Sequence, residues 1–205
     1  MPRFEPFPGI RYDSDTIDLA TVTAPPYDVI DAPQRERIAA SDPHQVVHLD
    51  LPVPDGDKDR YEAACALLST WRESGVLVDD EASFYVYRMV FTDEAGTERE
   101  TLGVIGALEL SRPGEGGILP HEQTTKKAKS DRLAMLQSCR ANLSAVWGLS
   151  LADGLSELCR LDEDPVGGSG GGPNHTVGGN GIDPDSIDTT DGCDLSRSAW
   201  MSSPL

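Results

Sequence analysis

The pattern of apolar and polar residues predicts a helix and a hairpin in the middle of the chain. Four residues of the segment 61–74 recur at the spacing of one helix face, and Gly75 follows where a C-terminal cap belongs. These four are Tyr61, Cys65, Leu68 and either Trp71 or Arg72. Two β-rich runs, 84–92 and 101–110, flank Asp93-Glu94-Ala95-Gly96, which is typical of a hairpin turn.

Shorter elements are predicted around this centre. Asp31-Ala32-Pro33-Gln34 resembles a capping box with proline in the first turn, so we predict a short helix that ends before Ser41. The apolar run 46–51 reads as a strand closed by Pro52, and 143–151 reads as another. Two more helices are predicted, one over 125–140 with Leu133, Leu136 and Cys139 as its core face, and one starting at Asp153. Because strands and helices mix without regular alternation, the predicted fold class is α+β, a mixed sheet with packed helices.

The composition changes near residue 161. Residues 162–205 contain nine of the 20 glycines and eight acidic residues against one arginine, and they show neither a strand period nor a helix period. Such a segment buries too little apolar surface to offset its ordering entropy. We therefore predict one domain over 1–161 and a disordered Gly/Asp-rich tail over 162–205.

The charge balance excludes several classes of partner. A net charge of −18 argues against binding to nucleic acid and to anionic membrane surfaces, both of which attract basic faces. The sequence has no apolar run long enough to span a membrane and no apolar leader at its start, so we expect a cytoplasmic protein with reduced cysteines.

One segment reverses this charge. Three of the four lysines (Lys126, Lys127 and Lys129) lie just before Arg132, at the start of a predicted helix. Backbone N–H groups and the helix dipole add to the attraction of such a cluster for anions, so a small anionic ligand such as phosphate or a nucleotide is the expected partner. The alternative is a solvated helix face whose bases pair with nearby acids.

Two further segments carry candidate chemistry. His121-Glu122 places an imidazole beside a carboxylate, which suits general acid–base catalysis, although adjacent side chains need not point the same way. Ala24-Pro25-Pro26 forms a stiff extended strut that presents Tyr27 and Asp28 at a fixed position, and the alternative is a well-packed turn.

Several of these segments together resemble one family. They are Ala24-Pro25-Pro26-Tyr27-Asp28-Val29, Trp71-Arg72-Glu73-Ser74-Gly75-Val76-Leu77, Phe84-Tyr85-Val86-Tyr87-Arg88, Leu119-Pro120-His121-Glu122-Gln123-Thr124 and Lys129-Ser130-Asp131-Arg132. In this order they are similar to the N-terminal half of the domain-of-unknown-function 1015 (DUF1015) family, over roughly residues 4–160. That family is grouped with the ParB/sulfiredoxin-like superfamily, whose members include free serine kinases, sulfiredoxins and nucleotide-binding partition proteins.

The resemblance implies a nucleotide-dependent small-molecule phosphotransferase, using ATP or ADP with Mg²⁺. In that reading the basic cluster holds phosphate, Glu122 and His121 serve acid–base chemistry, and Asp131 assists a metal or orients Arg132. Family members are longer and carry a Gly-His-His-Arg-Tyr motif in their second half, which this sequence lacks. The chain therefore looks truncated or frameshifted after about residue 161. The alternatives are a non-catalytic binding module for a nucleotide or another anion, and an inactive fragment.

Overall fold

The fold is known from a computed structural model, which describes residues 2–112, 114–115, 117–120, 126–150, 154–159, 181–182 and 199–202. The described residues divide between two compact units. The first unit comprises those within Met1–Ile10, Asp79–Glu122 and Trp147–Ser202, and the second comprises those within Arg11–Val78 and Gln123–Val146. Strands and helices mix without βαβ repetition, so the predicted α+β class is confirmed.

The strands are β1 (Phe4–Glu5), β2 (Phe7–Tyr12), β3 (Leu77–Thr92), β4 (Glu98–Ile105), β5 (Ala107–Leu108), β6 (Ile118–Pro120), β7 (Trp147–Leu149), β8 (Gly181–Ile182) and β9 (Ala199–Ser202). One sheet has the order β2-β3-β4, with β8 also pairing with β3, while β1 pairs with β5 and β9 lies between β6 and β7. The predicted disorder of the tail mostly falls outside the described residues, since β8 and β9 are its only described parts.

The predicted hairpin is confirmed as the antiparallel pair β3–β4, in register from Tyr85 opposite Ile105 to Thr92 opposite Glu98. Its turn is built on Asp93, whose carboxylate accepts hydrogen bonds from the backbone N–H groups of Ala95 and Thr97. The hydrogen bond from Thr97 lowers the pKa of Asp93, and the contact with Arg99 and then the hydrogen bond from Ala95 lower it further.

Gly106 lies between β4 and β5, so the predicted run 101–110 forms two strands in the structure. An added Cβ atom at Gly106 would lie 2.5 Å from ring carbon Cζ of Phe4, which is in β1. The Phe4 ring in turn stacks on Phe84, at 5.4 Å between ring centroids. Glycine at this position therefore lets the Phe4 ring lie directly on the backbone.

We expect Gly106→Ala to lower the free energy of unfolding by about 1–3 kcal/mol, because the Phe4 ring would have to move off Phe84. Urea unfolding followed by circular dichroism measures this change. Gly103→Ala in β4 is the matched control, since no described atom lies within 4 Å of its added Cβ. Equal losses of stability in the two variants would contradict the packing argument.

The second unit is helical. Its helices are α1 (Leu19–Val22), α2 (Ala32–Ala39), α3 (Val47–Asp50), α4 (Arg60–Glu73) and α5 (Lys126–Cys139), with a single 3-10 turn at Tyr27–Val29; α6 (Leu155–Leu158) belongs to the first unit. The predicted α2 and α4 are confirmed. Asp31 caps α2 by accepting from the N–H of Gln34, and α4 begins with a capping box of Asp59 and Glu62, which we did not predict. No described helix has the length and apolar content needed to cross a membrane.

The core of the second unit is a cluster of five buried residues, Leu49, Leu68, Trp71, Val76 and Leu77. Tyr12 packs against it, with its ring 6.0 Å from the ring of Trp71. The Tyr12 hydroxyl donates to the carbonyl of His44 at 2.7 Å, so its polar end is satisfied. The face predicted for α4 thus supplies two members of this cluster, Leu68 and Trp71.

The strand predicted over 46–51 is wrong, because Val47–Asp50 is α3. Burial does alternate along this segment, with Gln45, Val47 and Leu49 buried, and this alternation mimics a strand. Local hydrogen bonds decide the conformation: the N–H of Asp50 donates to Val46 and that of Leu51 donates to Val47. Val46 and Val47 favour strands by propensity, but packing within the helical unit outweighs that preference.

The helix predicted over 125–140 is confirmed as α5, but its predicted core face is wrong in part. Leu133 and Leu136 are 53% and 39% exposed, whereas Met135 is 2% exposed and Cys139 packs against the core cluster. The buried face of α5 therefore follows residues 131, 132, 135, 138 and 139 rather than its leucines. The strand predicted over 143–151 is reduced to β7, and the helix predicted from Asp153 is α6, with Asp153 itself outside the described residues.

Candidate functional site

The structure brings together two of the segments that the sequence singled out. Tyr27, from the Pro-Pro-Tyr-Asp segment, and Asp131 and Arg132, from Lys-Ser-Asp-Arg, lie beside one another in the second unit. The Arg132 guanidinium carbon lies 4.0 Å from the centroid of the Tyr27 ring, which is a cation–π contact. The strut at 24–26 thus leads to an aromatic platform for an arginine.

An alternating series of charges, Arg60–Asp131–Arg132–Asp50, forms the centre of the site; we call it the charge ladder. Arg60 Nη2 lies 2.6 Å from Asp131 Oδ1, and Arg132 Nη2 lies 2.9 Å from Asp131 Oδ2. Arg132 Nη1 lies 2.6 Å from Asp50 Oδ1, and Arg132 Nη2 also donates to the Asp50 carbonyl at 2.9 Å. Such short charge-assisted hydrogen bonds hold α3, α4 and α5 in one arrangement.

Helix positions explain why these side chains need one another. Arg60 is the first residue of α4 and Asp50 is the last of α3, so each charge has the unfavourable sign for its helix end. The ladder supplies the opposite charge to both. Tyr61 adds a hydroxyl that donates to Asp131 Oδ1 at 2.9 Å and accepts from Arg60 Nη2 at 2.6 Å.

The pKa values of Asp50 and Asp131, the two carboxylates of the ladder, shift in opposite directions. Burial raises the pKa of Asp50, and the charges of Asp131 and Asp28 add to the effect, while Arg132 opposes it. Burial alone would also raise the pKa of Asp131, but hydrogen bonds from Arg132 and Tyr61 and the charges of Arg132 and Arg60 outweigh it and lower that pKa. Asp131 is therefore a firmly ionised acceptor, which is unsuited to take up a proton near neutral pH.

The lowered pKa of Asp131 predicts an acid-sensitive contribution to stability. A carboxylate with a depressed pKa in the folded state stabilises it above the unfolded pKa, and this stabilisation is lost as the pH falls through the folded pKa. We expect Asp131→Asn to remove part of the loss of stability below about pH 4, as measured by urea midpoints at a series of pH values. Asp50, whose pKa is raised, acts in the opposite sense, so Asp50→Asn should not remove that loss.

The ladder borders a cleft of about 300 Å³. One wall is formed by Arg35 and Glu36 of α2 with the N-cap Asp31, and another by the chain after α3. The remainder is formed by Arg60, Asp131 and Arg132. The cleft lies at the lower end of the size range of small-molecule sites. Within the described residues, no group of three or more His, Cys, Asp or Glu side chains is placed to hold a metal ion.

Other predicted site residues do not join this cluster. Asp28 is exposed and lies near enough to affect the pKa of Asp50. Lys129 is exposed on α5, whereas only the backbone of Lys126 and Lys127 is described, at the start of that helix. His121 and Glu122 lie outside the described residues, so their catalytic roles stay predictions.

Sequence reasoning missed Arg35, Asp50 and Arg60. A signal existed for two of them, because an arginine directly after an N-cap and an aspartate at a helix end oppose the helix dipole and indicate tertiary partners. For Asp50 that signal was hidden by the mistaken strand. Arg35 gave no signal, since an arginine within a helix is usually a surface residue.

Fold and site together define an α+β protein in which three arginines and a ladder of ion pairs border a small cleft. The chain belongs to the family described as "Protein of unknown function (DUF1015)", whose family model matches residues 4–162. The family predicted from the sequence motifs is thereby confirmed. No curated protein and no solved structure matches the chain.

Proposed function

We propose that this protein binds a small anionic molecule in the cleft, with a phosphate group as its anionic part, and that Arg35 and Arg60 hold the phosphate. The observation that supports this is the convergence of two arginines from separate helices, α2 and α4, on one cleft. Planar guanidinium groups match the geometry of phosphate oxygens and bind them in pairs of hydrogen bonds.

The bonding of these arginines leaves donors for a ligand. Arg35 donates from Nε to the Leu51 carbonyl at 3.0 Å, and Arg60 donates only from Nη2. Among the described residues, the remaining N–H groups of both side chains make no other hydrogen bond. Arg132 differs, because Asp50 and Asp131 engage all its guanidinium nitrogens. Arg132 therefore holds Asp50 and Asp131 in place at the edge of the cleft.

The other lining residues restrict the ligand further. Asp31 and Glu36 lie on the same wall as Arg35, so the ligand should carry hydroxyl or amino groups that donate to carboxylates. Ile30, Pro52 and Val53 provide an apolar side that suits a sugar or base ring. A nucleotide or a sugar phosphate combines these features.

Phosphoryl transfer is the more specific form of the proposal, and the family resemblance supports it. In that form the bound phosphate belongs to ATP or ADP, and Glu122 takes the proton of the acceptor hydroxyl. Asp131 would act by holding Arg132 rather than as a base, since its carboxylate accepts from Arg60, Tyr61 and Arg132. Transfer of radiolabel from nucleotide to free amino acids, measured with the full chain, separates an enzyme from a binding module.

Isothermal titration of the full chain with inorganic phosphate, ADP and ATP tests the binding proposal. We expect Arg35→Gln and Arg60→Gln each to weaken binding about tenfold, because each removes a charge-assisted contact. Arg37→Gln is the matched control, since Arg37 is exposed on the same helix and does not line the cleft. Equal affinity in all three variants would contradict the assignment.

A second pair of variants separates the cleft from the basic cluster. Lys126→Glu combined with Lys129→Glu reverses two charges of the predicted anion site without touching the cleft arginines. We expect the cleft variants to lose affinity at all salt concentrations and this double variant to lose it mainly at low salt, because exposed charges are screened. The reverse pattern would place the ligand at the start of α5.

A further inference from the structure

We propose that Cys65 and Cys139 form an oxidation site, at which a hydroperoxide joins the two thiols in a disulfide between α4 and α5. Cys65 lies in the second turn of α4, and Cys139 is the last residue of α5. Both are free thiols and both are half-buried, so each is accessible to a small oxidant. This inference does not depend on the proposed ligand.

The packing register of the two helices brings these cysteines together. Ser138 Oγ donates to the Tyr61 carbonyl at 3.1 Å, which sets the last turn of α5 beside the first turn of α4. Cys139 follows Ser138 directly, and Cys65 lies one helical turn beyond Tyr61 on the same face. The two thiols therefore belong to the same stretch of the α4–α5 interface.

The surroundings of Cys139 support this closeness. Its Sγ lies 3.6 Å from the Met135 Sδ atom, and the side chain packs against the core cluster. Burial raises the pKa of Cys139, and the charge of Cys65 adds to this rise. The core cluster that Cys139 packs against includes Leu68, which lies three residues after Cys65 and so on the same face of α4. By contrast, Cys159 is buried in the first unit.

The chemistry balances with hydrogen peroxide as the oxidant. Cys65 attacks a peroxide oxygen, since burial raises the pKa of Cys139 and keeps that group a thiol; the step gives a sulfenic acid on Cys65 and releases one water molecule after protonation. The second thiol then attacks the sulfenic sulfur, forms the S–S bond and releases the hydroxyl as a second water molecule. Two thiols are oxidised and one peroxide is reduced.

The disulfide would act on the site through α5. It would tie the end of α5 to α4, the same helix pair that the Arg60–Asp131 contact joins at 2.6 Å. A closed loop of this length restricts the unfolded chain, so oxidation should raise the unfolding midpoint. The cleft wall would then be fixed covalently as well as by its ion pairs.

The test oxidises the full chain with hydrogen peroxide, blocks the remaining thiols and maps tryptic peptides without reduction. We expect loss of the free peptides 61–72 and 133–140, appearance of the two joined by a disulfide, and a rise of about 5 °C or more in the unfolding midpoint. The Cys159→Ser/Cys193→Ser double variant should retain both changes. Cys65→Ser and Cys139→Ser should each abolish both changes.

The proposal is overturned if the dominant linkage involves Cys159 or Cys193, or if it forms between two chains in proportion to concentration. It is equally overturned if Cys65 and Cys139 oxidise to sulfinic acid without linking. Urea unfolding of the reduced serine variants checks that each is folded. A missing linkage is then due to the missing thiol and not to unfolding.

Discussion

Replacing Arg132 with methionine should lower the free energy of unfolding by about 3–5 kcal/mol, which is the usual cost of breaking a buried ion pair from one side. The variant keeps much of the side-chain volume and removes the charge, so Asp50 and Asp131 lose their shared partner. The Arg132 and Asp50 side chains are only 22% and 18% exposed, so water compensates little of the loss. The contact with the Tyr27 ring disappears as well.

Urea unfolding followed by circular dichroism measures this effect. A control variant and a double variant test whether the loss comes from the broken ion pair. Lys129→Met removes an exposed cation from the same helix and should change stability by less than about 0.5 kcal/mol. The double variant Arg132→Met/Asp50→Leu should recover part of the loss, because no buried carboxylate is then left without its cation. A double variant that is less stable than either single variant would contradict the view that an unpaired Asp50 carboxylate causes the loss.

Leu68→Ala should destabilise the protein by about 2–5 kcal/mol. Leu68 lies on α4 and is 6% exposed in the core cluster, between the side chains contributed by α3 and by the start of β3. Removing its branched end leaves a cavity among the other buried residues of the cluster. Thermal and urea unfolding of the full chain both measure the change.

Leu133→Ala is the matched control for this substitution. The same side chain is removed from a helix of equal length, but Leu133 is 53% exposed, so we expect a loss below about 1 kcal/mol. Comparable losses from Leu68→Ala and Leu133→Ala would mean that α5 is rotated from the position described above.

Most of the fold could be predicted where one signal dominated. The α4 segment combines helical spacing with a terminal glycine, and the structure shows both, with Gly75 at positive φ. The hairpin likewise follows from two β-rich runs and the Asp93–Gly96 turn. The prediction failed for the short segment 46–51, because the alternating burial of Gln45, Val47 and Leu49 fits a strand as well as the helix that forms.

The site could be predicted only in part, because its geometry depends on tertiary pairing. The motifs pointed to Tyr27, Asp131 and Arg132, which do meet. The partners Asp50 and Arg60 are 82 and 71 residues away from Arg132 and Asp131, and nothing local in the sequence sets that pairing. The leucines of α5 misled for a related reason: the inward face of the helix carries Asp131, Arg132 and Met135, while Leu133 and Leu136 are exposed.

The charge ladder predicts which positions of the domain change together during evolution. Asp131 and Arg132 each pair with two residues of opposite charge. A change of charge at one position therefore leaves a charged residue on another helix without its partner, unless a second position changes as well. Positions 50, 60, 131 and 132 should therefore vary together among sequences that share this domain, whereas positions 133 and 136 should drift freely among residues that suit a helix. Where a lineage replaces the arginine at 132, the aspartate at 50 should be lost first.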